Sequence, residues 1–376
     1  MKQPTALDTE TTTYNTGNFY DKRNKIVCYS YATRERCGAY LITEPSIMAL
    51  EELLEQTSLV VGFNFKFDLP WIRSLGVGID SIPIWDVQIA EFIISNQTNR
   101  FPSLEGTCQK YGIQGKIDVV KTEYWDKGIN TDEIPWEVLG PYAQQDAEAT
   151  LQCYYAQLAV MTPKQIRLCK LMCMDLKILQ EMEQNGIAYD EQLCEKNSKE
   201  INDKIKNIQE KLANVYPSIP INFNSPDHLS AFLYGGTIVE EKKIHDGFYK
   251  SGQKAGQPKL KKIEVEHILP RMFEPIRGTA LKKEGMYSTN EDTLKKLKGK
   301  NKHLVAMLQE LAKLETLNSK YFVGIPKLNK EMNWPKGKIH GQFNQCIAAT
   351  GRLSSKEPNL QNLATELQYI FVSIYE

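Results

Sequence analysis

"ALDTETT", residues 6–12, sets two acids, Asp8 and Glu10, one residue apart in a short run out of the N-terminus. In a strand, side chains two positions apart share a face, so these carboxylates would stand side by side. Two anions held that close repel each other. A cation or a shared proton is needed to make the arrangement tolerable. Taken alone the pair also fits a solvated loop, and only further carboxylates, correctly placed, decide between the readings.

Working outward, "KIVCYSYAT" and "GAYLIT" read as β-rich runs separated by the charged turn "RERC", so a meander follows the opening strand. "SIMALEELLEQ" has helical spacing with Ser46 as its cap, and "LVVGFNF" returns to strand. Near Pro135 the alternation of strands and helices gives way to long helices over 164–185 and 191–215, broken at Gly186. The helical pattern resumes over 290–320. This is an α/β region followed by a helical one. Between the helical blocks, 236–289 is rich in Lys and Gly and poor in periodicity, which reads either as a solvated insertion or as a loop that contacts phosphates. "KIHGQFNQCIAATG" reads as a strand entering a turn.

Two more stretches carry acids. In "GFNFKFDLPWI", residues 62–72, Asp68 follows a β-rich run and opens a helix, where an isolated Asp would cap the first turn. In "YAQQDAEATLQCYYAQL", residues 142–158, Tyr142 and Asp146 are four apart and share one helical face. Asp86, in "IWDVQIAEFII", either caps the following helix or supports the site from behind.

Asp-x-Glu on a first strand, Asn-x-x-Phe-Asp at a strand–helix junction and Tyr-x-x-x-Asp on a helix together resemble the DEDD superfamily of 3′-to-5′ exonucleases, in its tyrosine-containing branch. The resemblance implies a ribonuclease H-like mixed sheet. It also implies two magnesium or manganese ions, bridged by Asp8, with Glu10 and Asp146 completing the first and Asp68 holding the second through water. Tyr142 would hydrogen-bond the attacking water, and Asn64 would fix the loop or the substrate backbone. The chemistry agrees: phosphodiester hydrolysis needs an activated nucleophile and a neutralised leaving oxygen, and a pair of hard divalent ions held by oxygen ligands supplies both. Tyr14, Phe67, Tyr124 and Trp125 are the aromatics available to stack on frayed bases. Each reads as core except Tyr124 and Trp125, whose charged neighbours favour exposure.

"ATGRLSSKEPNLQNL", residues 349–363, closely resembles the segment leading into the palm of family-A DNA polymerases. "LQEMEQNGIAYD", "INFNSPDHLSAFLYG" and "LQELAKLETLNSKY" resemble the helices of the thumb in that family. The resemblance implies an exonuclease domain over 1–160, a helical thumb over 161–338 with the lysine-rich insertion, and a short β segment beginning the palm over 339–376. It further implies that Arg352, Asn359, Gln361 and Asn362 contact the primer terminus, sensing pairing geometry in the minor groove without reading sequence. Gly351 would allow close approach of the backbone. Asp8 lies so near the start that no 5′-nuclease domain is expected before it. The palm aspartates of the family would fall after position 376, so polymerisation by this chain alone is not expected, and a second chain carrying palm and fingers is a possible partner. A noncatalytic DNA-holding subunit and, less favoured by the tail, a freestanding exoribonuclease are the competing readings. No processivity factor is implied.

Composition adds bounds. With 376 residues, 41% of them hydrophobic, the chain can fill two or three cores. Basic and acidic residues balance at 46 each, so overall charge gives no sign of a polyanionic partner. Eight cysteines without a Cys-x-x-Cys pair support neither zinc site nor disulfide framework and suit a reducing cytoplasm, with Cys169 and Cys173 as core thiols. Neither a membrane span nor a signal peptide is legible.

Overall fold

The structure, a computed structural model, describes residues 2–115, 119–248, 257–363 and 365–373. The chain divides into two compact units: Met1–Glu191 together with Ile325–Glu376, and the intervening Gln192–Gly324.

The first unit is built on a mixed five-stranded sheet. Strand β1 (Gln3–Thr11) pairs antiparallel with β2 (Ile26–Ala32), which pairs antiparallel with β3 (Cys37–Leu41). On its other edge β1 runs parallel to β4 (Thr57–Gly62), and β4 to β5 (Ile84–Asp86), giving the order β3-β2-β1-β4-β5. The meander and the return to strand are thus as the sequence indicates. Helix α1 (Glu44–Glu55) lies between β3 and β4. Its cap is Thr43, and Ser46 is the third helical residue: the two side chains exchange hydrogen bonds with each other's backbone N–H groups in a capping box. Helix α2 (Asp68–Ser74) follows β4, with Asp68 as its first helical residue rather than its cap. Helices α3 (Val87–Ile94), α4 (Leu104–Tyr111) and the short α5 (Val119–Glu123) precede the two long helices α6 (Trp136–Val160) and α7 (Pro163–Asn185).

The central strands are buried at consecutive positions, Val60, Val61 and Gly62 on β4 among them, as expected where elements pack on both faces, while β3 at the edge stays largely exposed. The core around Leu7, Tyr29, Phe65, Leu69, Trp85 and Phe92 is fully buried, each such side chain contributing about 1.5–3 kcal/mol. Cys169 and Cys173 belong to it, as expected, and so does Cys346 from far along the chain.

That long-range packing joins the segment from Ile325 onward to the five-stranded sheet. Helix α7 ends at Gly186, whose φ of +63° and ψ of −174° suit glycine alone. A Cβ there would stand 2.7 Å from the Ile339 carbonyl oxygen. Beyond it β6 (Ile187–Ala188) pairs antiparallel with β9 (Lys338–Ile339), and β10 (Gln342–Asn344) forms a hairpin with β11 (Ser354–Lys356).

The second unit contains nearly all of α8 (Glu191–Ala213), with α9 (Pro226–Tyr234), α10 (Glu291–Lys296), α11 (Lys302–Leu317) and the start of α12 (Gly324–Glu331). Leu212, Phe232, Leu233, Leu297 and Leu311 form its core. The region 236–289, read from sequence as a solvated insertion or a phosphate-contacting loop, carries regular structure that its weak periodicity did not announce. Most of it is a long antiparallel ribbon, β7 (Gly236–Phe248) and β8 (Pro258–Leu269). Only its base is buried, through Ile238 and Leu269 against Ala231. Further out β7 is almost wholly exposed and shows no apolar alternation, while β8 alternates only over a short run, with Ile263, Val265 and His267 half-buried and Glu264 and Glu266 exposed. Three of its lysines meet acids: Lys262 with Glu241 at 2.7 Å, Lys242 with Glu240 at 3.1 Å and Lys259 with Asp246 at 3.1 Å. Residues 249–256, within "YKSGQKAGQPKLKK", lie outside the described residues. Among the described residues no helix is long and apolar enough to cross a membrane.

Candidate active site

Asp8 and Glu10 do share a face of β1, and the third partner comes from α6, which packs across β1 and β2. One carboxylate oxygen from each of Asp8, Glu10 and Asp146 lies within 4.8 Å of the others. Glu10 and Asp146 are 8% and 2% exposed, so the charges are largely withdrawn from water. Opposite them in register on β2 stand Ser30 and Cys28, both uncharged. The Cys28 thiol is pushed far up by burial and by the negative charges of Glu10 and Asp8.

Asp68 is not a member of this group and is held instead by Thr9, the residue between Asp8 and Glu10. Strand β4 pairs with β1 only as far as Ala6, which leaves that edge of β1 open further along. There the Thr9 backbone N–H donates to Asp68 Oδ1 at 3.0 Å and the Thr9 hydroxyl donates to the same oxygen at 2.6 Å. Burial raises the Asp68 carboxyl to about 7, against the Thr9 hydrogen bonds that lower it, and the neighbouring Asp86 charge adds to the rise. Asp86 does two jobs at once. Its Oδ1 caps α3 by accepting from Gln88 N and Ile89 N, while Oδ2 accepts from Phe65 N at 2.7 Å inside the loop that presents Asp68. Asn64, at the head of that loop, takes a left-handed φ of +53°.

Tyr142 lies one turn before Asp146 on α6, buried against Val120, Leu139 and Ala143. The Trp125 ring meets it edge-on at 5.9 Å. Tyr124 and Trp125 are half-buried on this cluster, not exposed as their charged neighbours suggested, because apolar residues around Ile134 and Leu139 cover them. Tyr14 departs the other way: it is 44% exposed, with the Arg23 guanidinium over its ring. Phe67 is half-buried.

Arg352, Asn359, Gln361 and Asn362 are all exposed, Arg352 in the turn between β10 and β11 and the other three just after β11. Gly351 has a φ of +74°. Asn359 accepts from Gln361 N at 3.2 Å, which shapes this turn.

A family model described as 3'-5' exonuclease matches residues 1–161, and one described as DNA polymerase family A matches residues 261–371. The N-terminal part of the chain is thus similar to that exonuclease family and its C-terminal part to that polymerase family. DNA polymerase I of Pseudomonas aeruginosa is 26% identical over 95% of this chain and 36% of its own length. DNA polymerase I of Bacillus subtilis is 27% identical over 88% of the chain and 33% of its own length. The DNA polymerase of Bacillus phage SP01 is 25% identical over 86% and 36%. The chain therefore spans about a third of these relatives. Among solved structures, the POL domain of Pol1 from M. smegmatis, in complex with DNA primer-template and dNTP, superimposes with a TM-score of 0.67 at 19% identity, covering 96% of this chain and 52% of that one. The chain shares the fold of about half of that structure.

Sequence reasoning missed two residues that brace the elements carrying the site, β1 and α6. Asn130 Oδ1 accepts from Thr13 N at 2.9 Å and from the Thr13 hydroxyl at 3.1 Å, bracing the chain as it leaves β1. Glu91, 2% exposed, accepts from Lys110, Tyr111 and Gln157 beneath α6. Neither sits in a motif, and only the fold brings their partners near.

Proposed function

We propose that this chain removes nucleotides from the 3′ end of DNA by metal-dependent hydrolysis and that the activity serves proofreading. The observation that carries the reading is the convergence of Asp8, Glu10 and Asp146, from two elements far apart in sequence, to within 4.8 Å. An all-oxygen donor set with two nearly buried members fits a hard divalent cation such as magnesium or manganese. Asp8, Glu10 and Asp146 would hold the ion between them, and Asp68, fixed on the open edge of β1, would serve a second. Bound there, the ions would supply Lewis acidity and charge neutralisation for phosphodiester cleavage. The chain's own residues do the rest. Tyr142 orients the attacking water by hydrogen bonding, and Asn64 fixes the loop or contacts the substrate backbone. Arg352, Asn359, Gln361 and Asn362 hold the primer terminus through the minor groove, where a mispaired end loses contacts and frays. Residues 1–160, 161–338 and 339–376 correspond in this reading to exonuclease, thumb and the beginning of the palm. No nucleotide addition is assigned to them.

The test is release of nucleoside monophosphates from a 3′-labelled oligonucleotide in magnesium. Asp8→Ala and Asp146→Ala should each abolish release while circular dichroism and melting remain near wild type. Unchanged hydrolysis in both variants refutes the site. Binding of primer-template without any shortening by the wild type would favour a DNA-holding subunit, and preference for RNA would favour an exoribonuclease.

A further inference from the structure

The loop that presents Asp68 is tied to the β10–β11 hairpin by a single buried ion pair. Lys66, two residues before Asp68, donates its ammonium to the Glu183 carboxylate on α7 and to the Phe343 carbonyl on β10. Glu183 Oε1 also accepts from Phe343 N at 2.6 Å, so both main-chain groups of one residue are gripped by one pair of side chains. The Glu183 carbonyl oxygen is 2.8 Å from His340 Nδ1, whose ring stacks on Tyr20 at 4.1 Å. Lys66 and Glu183 side chains are 16% and 9% exposed. Together with Asn64, Phe67, Gln342 and Asn344 they line a cavity of about 250 Å³ between the loop and the hairpin.

A buried ion pair is a poor device for stability alone, because desolvating two charges offsets most of their attraction, but it penalises any arrangement that separates them. Apolar packing already anchors this segment at Cys346, and backbone hydrogen bonds add to it at Phe101 N to Cys346 O, 2.7 Å. The pair therefore supplies something packing does not: a fixed offset between the loop and the strand.

We propose that Lys66 and Glu183 are positioning residues that set the offset between the Asp68-bearing loop and the β10–β11 hairpin, and thereby the transfer of a frayed primer end from the hairpin to the carboxylates. The inference rests on the proofreading reading above. It requires that single strands, which need no transfer, be spared relative to mispaired primer-template.

The experiment compares wild type, Lys66→Met, Glu183→Gln and the double variant on a single-stranded oligonucleotide and on a primer-template with a mispaired 3′ end. Each single variant should slow the mispaired substrate about tenfold, equivalent to about 1.4 kcal/mol, with kcat for the single strand changed less than about threefold. The double variant should be no worse than either single, since one interaction is lost in all three. Lys66→Arg should restore transfer. Fluorescence of 2-aminopurine at the primer 3′ end, recorded in chelator, reads the same partition without hydrolysis. It should shift toward the paired state in both single variants. If only Lys66→Met acts, the lysine touches DNA directly and the proposal fails. Equal slowing on both substrates also overturns it. Should the charge-removing variants melt early, Glu183→Asp, which shortens the arm by one methylene, must show the same substrate split. If wild type hydrolyses neither substrate, the proposed function falls, while the fluorescence partition still judges the pair.

Discussion

Replacing Asp68 with Asn should remove a specific, pH-dependent weakness from the metal-free protein. Asp68 is 3% exposed, and its carboxyl is raised from the ordinary 3.8 to about 7, chiefly by burial. Because the folded state prefers the protonated form, its contribution to stability is fully present below about pH 4. It is lost as pH rises through about 7. At about 1.4 kcal/mol per tenfold change in proton affinity, the loss amounts to about 4 kcal/mol. Asn keeps the shape and an oxygen to accept from Thr9 N and the Thr9 hydroxyl, yet cannot ionise. Urea unfolding in chelator at pH 5, 6, 7 and 8 gives the comparison. Within this range wild type should lose about 2–3 kcal/mol relative to Asp68→Asn, nearly all of it between pH 5 and 7, with the difference levelling off by pH 8. Asp86 is also raised by burial, so part of the wild-type slope belongs to it and will persist in the variant. Parallel curves for the two proteins would show that Asp68 is not buried as an acid and would refute the reasoning.

Three further outcomes follow from the packing. Asp86→Ala removes the α3 cap and the acceptor for Phe65 N together; it should cost about 2–4 kcal/mol in denaturant unfolding and slow hydrolysis through the loosened loop. Gly186→Ala forces a side chain into a glycine-only conformation against the Ile339 carbonyl, so the melting temperature should fall by an amount corresponding to about 1–3 kcal/mol, and an unchanged value would contradict the geometry. Binding of primer-template should weaken steeply as salt is raised from about 50 to 200 mM, as phosphate contacts require, and salt-insensitive binding would argue against the DNA-holding face around Arg352.

The acidic pair was legible because a strand repeats every two residues and α6 nearly every four, so "ALDTETT" and Tyr142–Asp146 each announce a shared face. What sequence could not show was the setting. The Thr9–Asp68 bonds exist because β4 stops pairing at Ala6, a matter of register. Ser46 and Thr43 are both hydroxyl residues in a reciprocal box, and choosing the cap between them needs backbone angles. The β7–β8 ribbon is charged along most of its length, and the one alternating run, Ile263–Glu266, is too short to mark two strands of more than ten residues. The bonds from Lys66 and Glu183 to Phe343 span more than a hundred and fifty positions, and no local pattern encodes them.

The chain leaves the first unit at Glu191 and rejoins it at Ile325. Those crossing points are close neighbours on that unit: β6 pairs with β9, and the Glu191 carboxylate lies 4.0 Å from Lys330 and 3.5 Å from Lys336. A separate body spliced between two adjacent anchor points can be cut out with little entropic penalty, since a short tether spans the gap. Residues 1–190 and 326–376 joined by a few glycines and serines would keep the carboxylate cluster and the β10–β11 hairpin while leaving out the helical body and its charged ribbon.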